Sequence, residues 1–334
     1  MHLRRWPSST RHIVKATAVA IGLLMLLGLL GATGRDAMSD WYRTHALVLR
    51  QSLISGLLIG GVYSLAALGL TLIFGVLGIL NFAHGTLMVL GMYLAYLLFA
   101  HLHIDPYLSL VLTIPALFLV GAVIQLVVIN RIMTAPAHNQ LVLTLGLALL
   151  LENLFLAAFG AEPRGIRSSY TSANLFVGDT LISLPRVYAF VIALLLGGLI
   201  YIVLTRTDFG KAIRAVAQDR EGAALVGINV PSVQMMTFGL GAAAAGAAGT
   251  VIMPFFTVTP TTGATFNITA FVVVVLGGMG NVPGAMLGGM LIGVVEALSA
   301  AFLPGSAKQL GVFVVFILIL LFRPSGLLGK GRNA

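Results

Sequence analysis

The stretch GVLGILNFAHG, Gly75–Gly85, lies in the middle of an apolar region, residues 51–104, that contains no Asp, Glu, Lys or Arg. This region is more than twice as long as the ~20 residues that one helix needs to cross ~30 Å of hydrocarbon. The chain is therefore expected to cross a bilayer and return, with the turn inside the apolar region. Because lipid penalises exposed polar groups, Asn81 and His84 must be shielded by protein or line a wet cavity. Such a turn is typical of a transport pathway.

The composition supports an integral membrane protein. Hydrophobic residues make up 59% of the 334 residues and charged residues 9%, whereas a soluble domain carries about a quarter charged residues. The longest polar segments, residues 161–186 and 205–231, are too short to form a soluble domain. Without cysteine, the chain has no disulfide framework, thiolate metal site or cysteine nucleophile.

The apolar segments predict an all-α polytopic protein of about eight to ten transmembrane helices, some of them broken at glycines. The predicted spans are residues 16–32, 52–74, 86–100, 107–129, 141–161, 187–204, 232–253, two spans within 268–303, and 309–322. Ten crossings place both termini on one side. That side carries twelve of the 19 Lys and Arg residues, in clusters that are typical of cytoplasmic loops rather than of a nucleic-acid surface.

The predicted organisation has three parts. Residues 1–46 form a cytoplasmic stub with a signal-anchor helix and a short periplasmic linker, 47–329 form one transmembrane domain, and 330–334 form a cytoplasmic tail. The first apolar segment, preceded by four basic residues, fits either a cleaved signal sequence or an uncleaved anchor. We favour the anchor.

A second break, GGMGNVPG at Gly277–Gly284, divides another long apolar region. Both breaks combine glycines with one Asn, and paired interruptions of this kind mark the substrate route in transporters. The alternative is that the glycines only let neighbouring helices approach closely. The predicted break residues are Gly75, Gly78, Gly277, Gly278, Gly280, Pro283 and Gly284. The predicted pathway residues are Asn81, His84, Gly85, Glu152, Asn153 and Asn281.

Few other residues could carry chemistry. Burying a charged Glu152 within its span would cost at least ~2.5 to 3.5 kcal/mol, so it must face protein or water. Glu152 and His84 each fit a hydrogen-bonded packing role as well as a pathway role. The sequence contains no Ser/His/Asp set, metal-ligand spacing or phosphate-binding loop. We therefore expect no catalytic residue, no metal and no cofactor.

The most polar segment, residues 205–229, predicts a short amphipathic helix on the cytoplasmic face. Thr207 and Asp208 are candidate N-caps, and Ile213, Val216 and Ala217 form an apolar strip at helical spacing. Either this segment is a solvated connector or it is a docking surface for a soluble partner. We favour docking.

Three separated stretches resemble one family, the H-type inner-membrane permease subunits of bacterial ABC importers for branched-chain amino acids. They are Tyr63–Gly85 followed by Met92 and Tyr93, Gly210–Asn229, and Val275–Ala285. The resemblance covers about residues 52–329, and the N-terminal anchor departs from the family pattern.

The resemblance implies a multi-pass protein of the bacterial inner membrane. It would pair with a second, homologous permease subunit, two cytoplasmic ATP-binding subunits and a periplasmic substrate-binding protein, and with no nucleic acid. The family's coupling helix corresponds to Asp208–Gly222. The implied coupling residues are Asp208, Gly210, Lys211, Arg214, Asp219, Arg220 and Glu221.

Three alternatives stay open at this point. Similar permeases import urea or short amides. An ion-coupled transporter would place more ionisable groups at mid-membrane than this chain does. A membrane scaffold would have no use for paired breaks.

Overall fold

The structure is a computed structural model that describes residues 35–168, 170–177, 180–303, 308–323 and 325–328. Helices make up most of this part of the chain. They are α1 (Arg35–Leu77), α2 (His84–Leu102), α3 (Leu110–Val127), a 3₁₀ turn (Ile129–Ile132), α4 (Ala137–Phe159), α5 (Leu184–Arg206), α6 (Asp208–Gln218), α7 (Arg220–Leu225), α8 (Val230–Ile252), α9 (Thr262–Gly277), α10 (Val282–Phe302) and α11 (Lys308–Phe322).

The described helices confirm the all-α polytopic fold. Seven are long and apolar enough to cross a membrane, and α9 and α11 are shorter apolar helices. Each predicted span between residues 52 and 322 falls on one of these nine. The predicted crossing at 16–32 and the predicted tail at 330–334 lie outside the described residues. Of two compact units, residues 1–50 and 51–334, the second contains both breaks and the polar segment between α5 and α8.

Proline and glycine mark where several of these helices begin or end. Pro185, Pro231 and Pro283 lie in the first turns of α5, α8 and α10, where a missing N–H leaves no helical acceptor unpaired. Gly160 and Gly278 follow the ends of α4 and α9 with φ of +73° and +100°. These residues therefore end the helices at defined points.

Helix α8 is the most buried of the candidate spans, with 83% of its apolar window covered. Helices α2 and α3 pack along it. A Cβ atom at Gly246 would lie 2.4 Å from Leu117 Cγ, and one at Gly249 would lie 2.0 Å from the Met88 carbonyl oxygen. The small residues of α8 therefore let its neighbours approach to backbone contact, which is how membrane helices gain packing energy without a hydrophobic drive.

Helices α1 and α10 cross at glycines on both sides. A Cβ at Gly60 would lie 2.7 Å from Met290 Cα, and one at Gly293 would lie 2.4 Å from the Gly56 carbonyl oxygen. Gly56 and Gly60 are four residues apart, so they share a face of α1. The backbones meet directly at this crossing.

A short antiparallel hairpin, β1 (Asn174–Val177) and β2 (Thr180–Ser183), precedes α5. The sequence analysis predicts no strand there. Near it, the Tyr170 hydroxyl donates to Asp105 Oδ2 at 2.6 Å, and the Tyr107 hydroxyl donates to the Pro185 carbonyl at 2.8 Å. These bonds join the α2–α3 loop to the segment around the hairpin.

Candidate functional site

The first break is a turn at residues 78–83, in which Ile79, Asn81 and Ala83 are buried. Gly78 adopts a left-handed φ of +72°. The Asn81 side chain is 3% exposed, and its Oδ1 accepts from the Ala83 N–H at 3.0 Å. The Asn81 carbonyl accepts from the His84 N–H at 3.3 Å. Asn81 thus closes the turn from which α2 starts and satisfies backbone groups that hydrocarbon would penalise.

His84 lies buried against the middle of α1. Its Nε2–H donates to the Ala66 carbonyl at 2.8 Å, which places a proton on Nε2 because a carbonyl can only accept. A Cβ at Gly69 would come within 3.0 Å of His84 Cε1, so this glycine makes room for the ring. The geometry favours a structural hydrogen bond between α1 and α2.

Gly85 lies at a contact between α2 and α9. A Cβ there would lie 2.0 Å from the Gly263 carbonyl oxygen, and the Gly85 N–H donates to Asn267 Oδ1 at 3.2 Å. Sequence reasoning missed Asn267, although an amide within the charge-free region 222–295 was a usable signal.

The second break runs from the end of α9 to the start of α10. Gly278 and Gly280 have φ of +100° and +80°. Asn281 caps α10, because its Oδ1 accepts from the Gly284 N–H at 3.0 Å. Its Nδ2 donates to the Leu328 carbonyl at 2.7 Å.

Four of the seven predicted break residues need correction, because they are helical. Gly75 belongs to the last turns of α1, Gly277 is the last residue of α9, and Pro283 and Gly284 belong to the first turn of α10. The requirement at Gly75 is space rather than backbone conformation, since a Cβ there would lie 3.3 Å from Gly280 Cα. The end of α1, just before the first break, therefore contacts the second break.

A cavity of about 780 Å³ lies between the end of α1 and the second break. Its walls come from the last turns of α1 and α5, from α6, from the second break and from Ser325. Apolar groups dominate the lining, and Arg214, Tyr201 and Asn281 add polar ones. Of the six predicted pathway residues, only Asn281 lines this cavity, so the other assignments stay predictions.

The polar segment between α5 and α8, residues 207–229 and called the connector below, holds two helices rather than the single predicted one. Thr207 caps α6 by accepting from the Gly210 N–H at 3.1 Å, which is one of the two predicted caps. Asp219 ends α6 and caps α7, since its Oδ1 accepts from the Glu221 and Gly222 N–H groups. An Asp that caps a new helix breaks the old one, which the strip of apolar residues could not reveal.

The inner face of α6 is apolar, as predicted, except at its end. Ile213 and Val216 are 3% and 1% exposed, whereas Ala217 is exposed and lines the cavity. On the outer face, Lys211 Nζ lies 2.8 Å from Asp208 Oδ1. This hydrogen bond lowers the pKa of the exposed Asp208 carboxyl.

Two arginines of the connector contact helix ends. Arg214 Nη1 donates to the Leu204 carbonyl at the end of α5. Arg220 Nη2 donates to the Val76 carbonyl at 3.1 Å and to the Leu77 carbonyl, both in the last turn of α1. The sequence analysis predicts that both residues couple the chain to a partner. In the structure, their guanidinium groups bind backbone carbonyls of the same chain.

Glu152 and Asn153 lie on α4, away from both breaks. Only 11% of the apolar window of α4 is buried. Asn153 is exposed and its Nδ2 donates to Leu149 of the same helix at 2.8 Å. The contact of α4 with the first break is made instead by Thr144, whose Oγ1 donates to the Leu80 carbonyl at 3.2 Å.

Apolar helices that end at two breaks, and an amphipathic connector that lines a cavity beside the second break, define a polytopic membrane permease. Residues 52–322 match the family described as the branched-chain amino acid transport system permease component. The chain belongs to this family.

Curated relatives extend the match over nearly their whole length. The chain is similar to the high-affinity branched-chain amino acid transport system permease protein BraD of Pseudomonas aeruginosa, with 32% identity over 84% of this chain and 95% of BraD. It is similar to LivH of Escherichia coli K12, with 31% identity over 85% of this chain and 96% of LivH. A shorter match is to LivM of Salmonella typhimurium, with 32% identity over 44% of this chain and 35% of LivM. No solved structure gives a significant match.

Proposed function

We propose that the chain is a permease subunit of an ATP-driven importer of branched-chain amino acids, set in a bacterial inner membrane with both termini in the cytoplasm. The observation that carries the proposal is the family match over residues 52–322, supported by BraD and LivH, whose names state this substrate class. The largely apolar lining of the cavity suits a hydrophobic amino acid.

ATP hydrolysis belongs to two separate cytoplasmic subunits, because the sequence has no phosphate-binding loop with its lysine. The connector is their docking surface. Its inner residues Ile213 and Val216 are buried, and its outer face carries exposed Asp208, Lys211 and Glu221. Charges of both signs on a helix face set the register of a partner.

An exposed apolar pair adds a contact that the sequence analysis did not single out. Leu225 and Val226, at the end of α7, are 88% and 77% exposed. Apolar side chains beside charged residues on a water-facing segment mark a protein contact. Leu225→Ser should therefore reduce copurification of the ATP-binding subunits, whereas Ala224→Ser on the same helix should not. Equal copurification of both variants would remove Leu225 from the interface.

A second, homologous permease subunit covers α4. Within the described residues the carboxyl group of Glu152 has no hydrogen bond or ion pair. A Glu or Asn side chain that faces hydrocarbon costs free energy. A Cβ atom added at Gly146 would have no heavy atom within 4 Å, which leaves room for another helix to approach. The pathway then runs between the subunits past Glu152 and Asn153. Gly146→Leu should weaken copurification of the second permease, and Val123→Leu, on the exposed face of α3, serves as the control.

The deciding experiment is reconstitution of the whole complex in vesicles with the periplasmic binding protein outside and ATP inside. We expect uptake of labelled leucine that requires ATP, and competition by isoleucine and valine but not by urea. Competition by urea would change the substrate assignment. Concentration of leucine by the chain alone on an ion gradient would refute the importer assignment.

A further inference from the structure

Arg220 joins the connector to the first helix break. We infer that Arg220 is a positioning residue that holds the connector to the last turn of α1 and transmits movement of the connector to that break. The inference rests on the proposed function, in which ATP-binding subunits act on the connector.

The bonding partners of Arg220 are groups that need a donor. The last carbonyls of a helix have no intrahelical N–H, and α1 ends at Leu77. Arg220 Nη2 donates to the Val76 and Leu77 carbonyls across 144 and 143 residues of chain. A guanidinium at this position also complements the negative end of the helix dipole. Arg220 thus completes α1 immediately before Gly78, whose left-handed φ of +72° begins the break.

The other end of the connector is held to α5. Thr207 Oγ1 donates to the Val203 carbonyl, and Arg214 Nη1 donates to the Leu204 carbonyl. A Cβ at Gly210 would lie 2.3 Å from the Leu204 carbonyl oxygen, so the backbones of α5 and α6 are in contact. The connector therefore bridges the ends of α5 and α1.

The cavity makes this bridge mechanically important. It lies between α6 and the second break, with Arg214 and Ala217 on one side and Gly280 on the other. Open space on this side gives α6 room to move toward the second break. The polar link through Arg220 then carries that movement to the end of α1, because a charged hydrogen bond to two carbonyls is stronger than a neutral one.

The first test measures the end of α1 directly. The natural chain has no cysteine, so Leu77→Cys, at a site that is 3% exposed, gives this chain a single thiol that can be followed in the assembled complex. With Arg220→Gln, labelling of this thiol by a soluble maleimide should be about tenfold faster, because the shorter, uncharged Gln side chain does not reach the two carbonyls and the last turn opens. Arg220→Lys should stay near the parent rate, since Lys keeps the charge, the length and a donor. Arg206→Gln, an exposed cation at the end of α5, is the matched control.

A second thiol controls for general unfolding. Met92→Cys, in α2 and 0% exposed, should label at the parent rate in the Arg220→Gln background. Equal labelling of Leu77→Cys with and without Arg220 overturns the inference, as does faster labelling at both thiols.

The second test measures coupling. Arg220→Gln should leave copurification of the ATP-binding subunits intact and lower leucine uptake per ATP hydrolysed by about tenfold. Loss of copurification would mean that Arg220 contacts the partner instead, and an unchanged ratio would mean that it transmits nothing. Failure of the parent complex to take up leucine would count against the proposed substrate alone, because the labelling test needs no substrate.

Discussion

Gly85→Ala is expected to destabilise the chain strongly, because the new methyl group would meet backbone rather than a movable side chain. The Cβ would lie 2.0 Å from the Gly263 carbonyl oxygen and 2.8 Å from Asn267 Cβ. Ordinary contacts between carbon and other heavy atoms need about 3.5 Å. Helices α2 and α9 would have to separate by more than about 1 Å at this point.

The expected cost follows from two effects. Overpacking costs about 1 to 3 kcal/mol, and backbone atoms place this site at the upper end. Separation of the helices also weakens the hydrogen bond from the Gly85 N–H to Asn267 Oδ1, now 3.2 Å, which contributes about 1 kcal/mol. The higher helix propensity of Ala offsets up to about 1 kcal/mol. The net loss of about 2 to 3 kcal/mol raises the unfolding equilibrium constant roughly 30- to 150-fold.

The assay uses a buried cysteine as a reporter. Met92→Cys is placed in the parent and in each variant, and its labelling rate in detergent follows the population of open chain when closing is fast. Gly198→Ala is the control, because Gly198 is in the middle of α5 and no atom lies within 4 Å of its added Cβ. It should match or exceed the parent in stability by up to about 1 kcal/mol.

The result separates two interpretations of Gly85. If Gly85→Ala labels within about threefold of the parent, less than 1 kcal/mol is lost and the contact with α9 is not as close as described. If, in addition, leucine uptake is lost, the residue lies on the pathway that the sequence predicted. Faster labelling with the expected magnitude assigns it to helix packing.

Three further changes test other parts of the structure. Asn281→Ala removes the cap on the Gly284 N–H and should cost about 1 kcal/mol in the same assay, whereas Asn281→Asp keeps this acceptor but loses the donor to the Leu328 carbonyl and should recover only part of it. Asp105→Asn weakens the hydrogen bond from the Tyr170 hydroxyl at 2.6 Å and should cost about 1 kcal/mol. Burial, then the Asp105 carboxylate, raises the pKa of Tyr170 above its ordinary value of 10. The contribution of Tyr170 to the free energy of unfolding is therefore complete below pH 10. It falls above pH 10, where Tyr170 loses its proton in the unfolded chain but retains it in the folded chain. Tyr170→Phe should reduce that fall in the heat-denaturation midpoint.

The apolar spans were predictable because hydropathy is a local property. Every span between residues 52 and 322 falls on a described helix, and the first break was located because glycines and Asn81 interrupt an uncharged region. The N-cap at Thr207 could also be predicted, because a capping side chain binds a backbone N–H only three residues away. The hairpin at Asn174–Ser183 was not predicted, because four-residue strands in a polar segment carry little periodicity.

The sequence could not show which polar side chains bind backbone atoms from distant parts of the chain. A sequence shows that Arg220 is basic and lies in a polar segment, which favours a solvent-facing or partner-facing position. It does not show that α1 ends at Leu77 beside it, leaving carbonyls without donors. For the same reason the sequence did not show that Gly75 approaches Gly280. Each of these glycines is compatible with a helix break and with a close contact between helices.

Helices α1 and α9, which end at the two breaks, obtain hydrogen-bond donors for their last carbonyls from segments outside the helix bundle. This explains why these segments attach to the bundle at the breaks. Carbonyls at a helix end inside a membrane must be satisfied by protein. At α1 the donor is Arg220 of the connector. At α9 the donors are two backbone N–H groups. Leu327 donates to the Leu276 carbonyl at 2.7 Å, and Leu328 donates to the Gly277 carbonyl at 3.3 Å. A discontinuous helix thus creates a polar site that an external segment must fill. The structure places the connector at one such site, so a force on the connector acts first on the helix end that needs it.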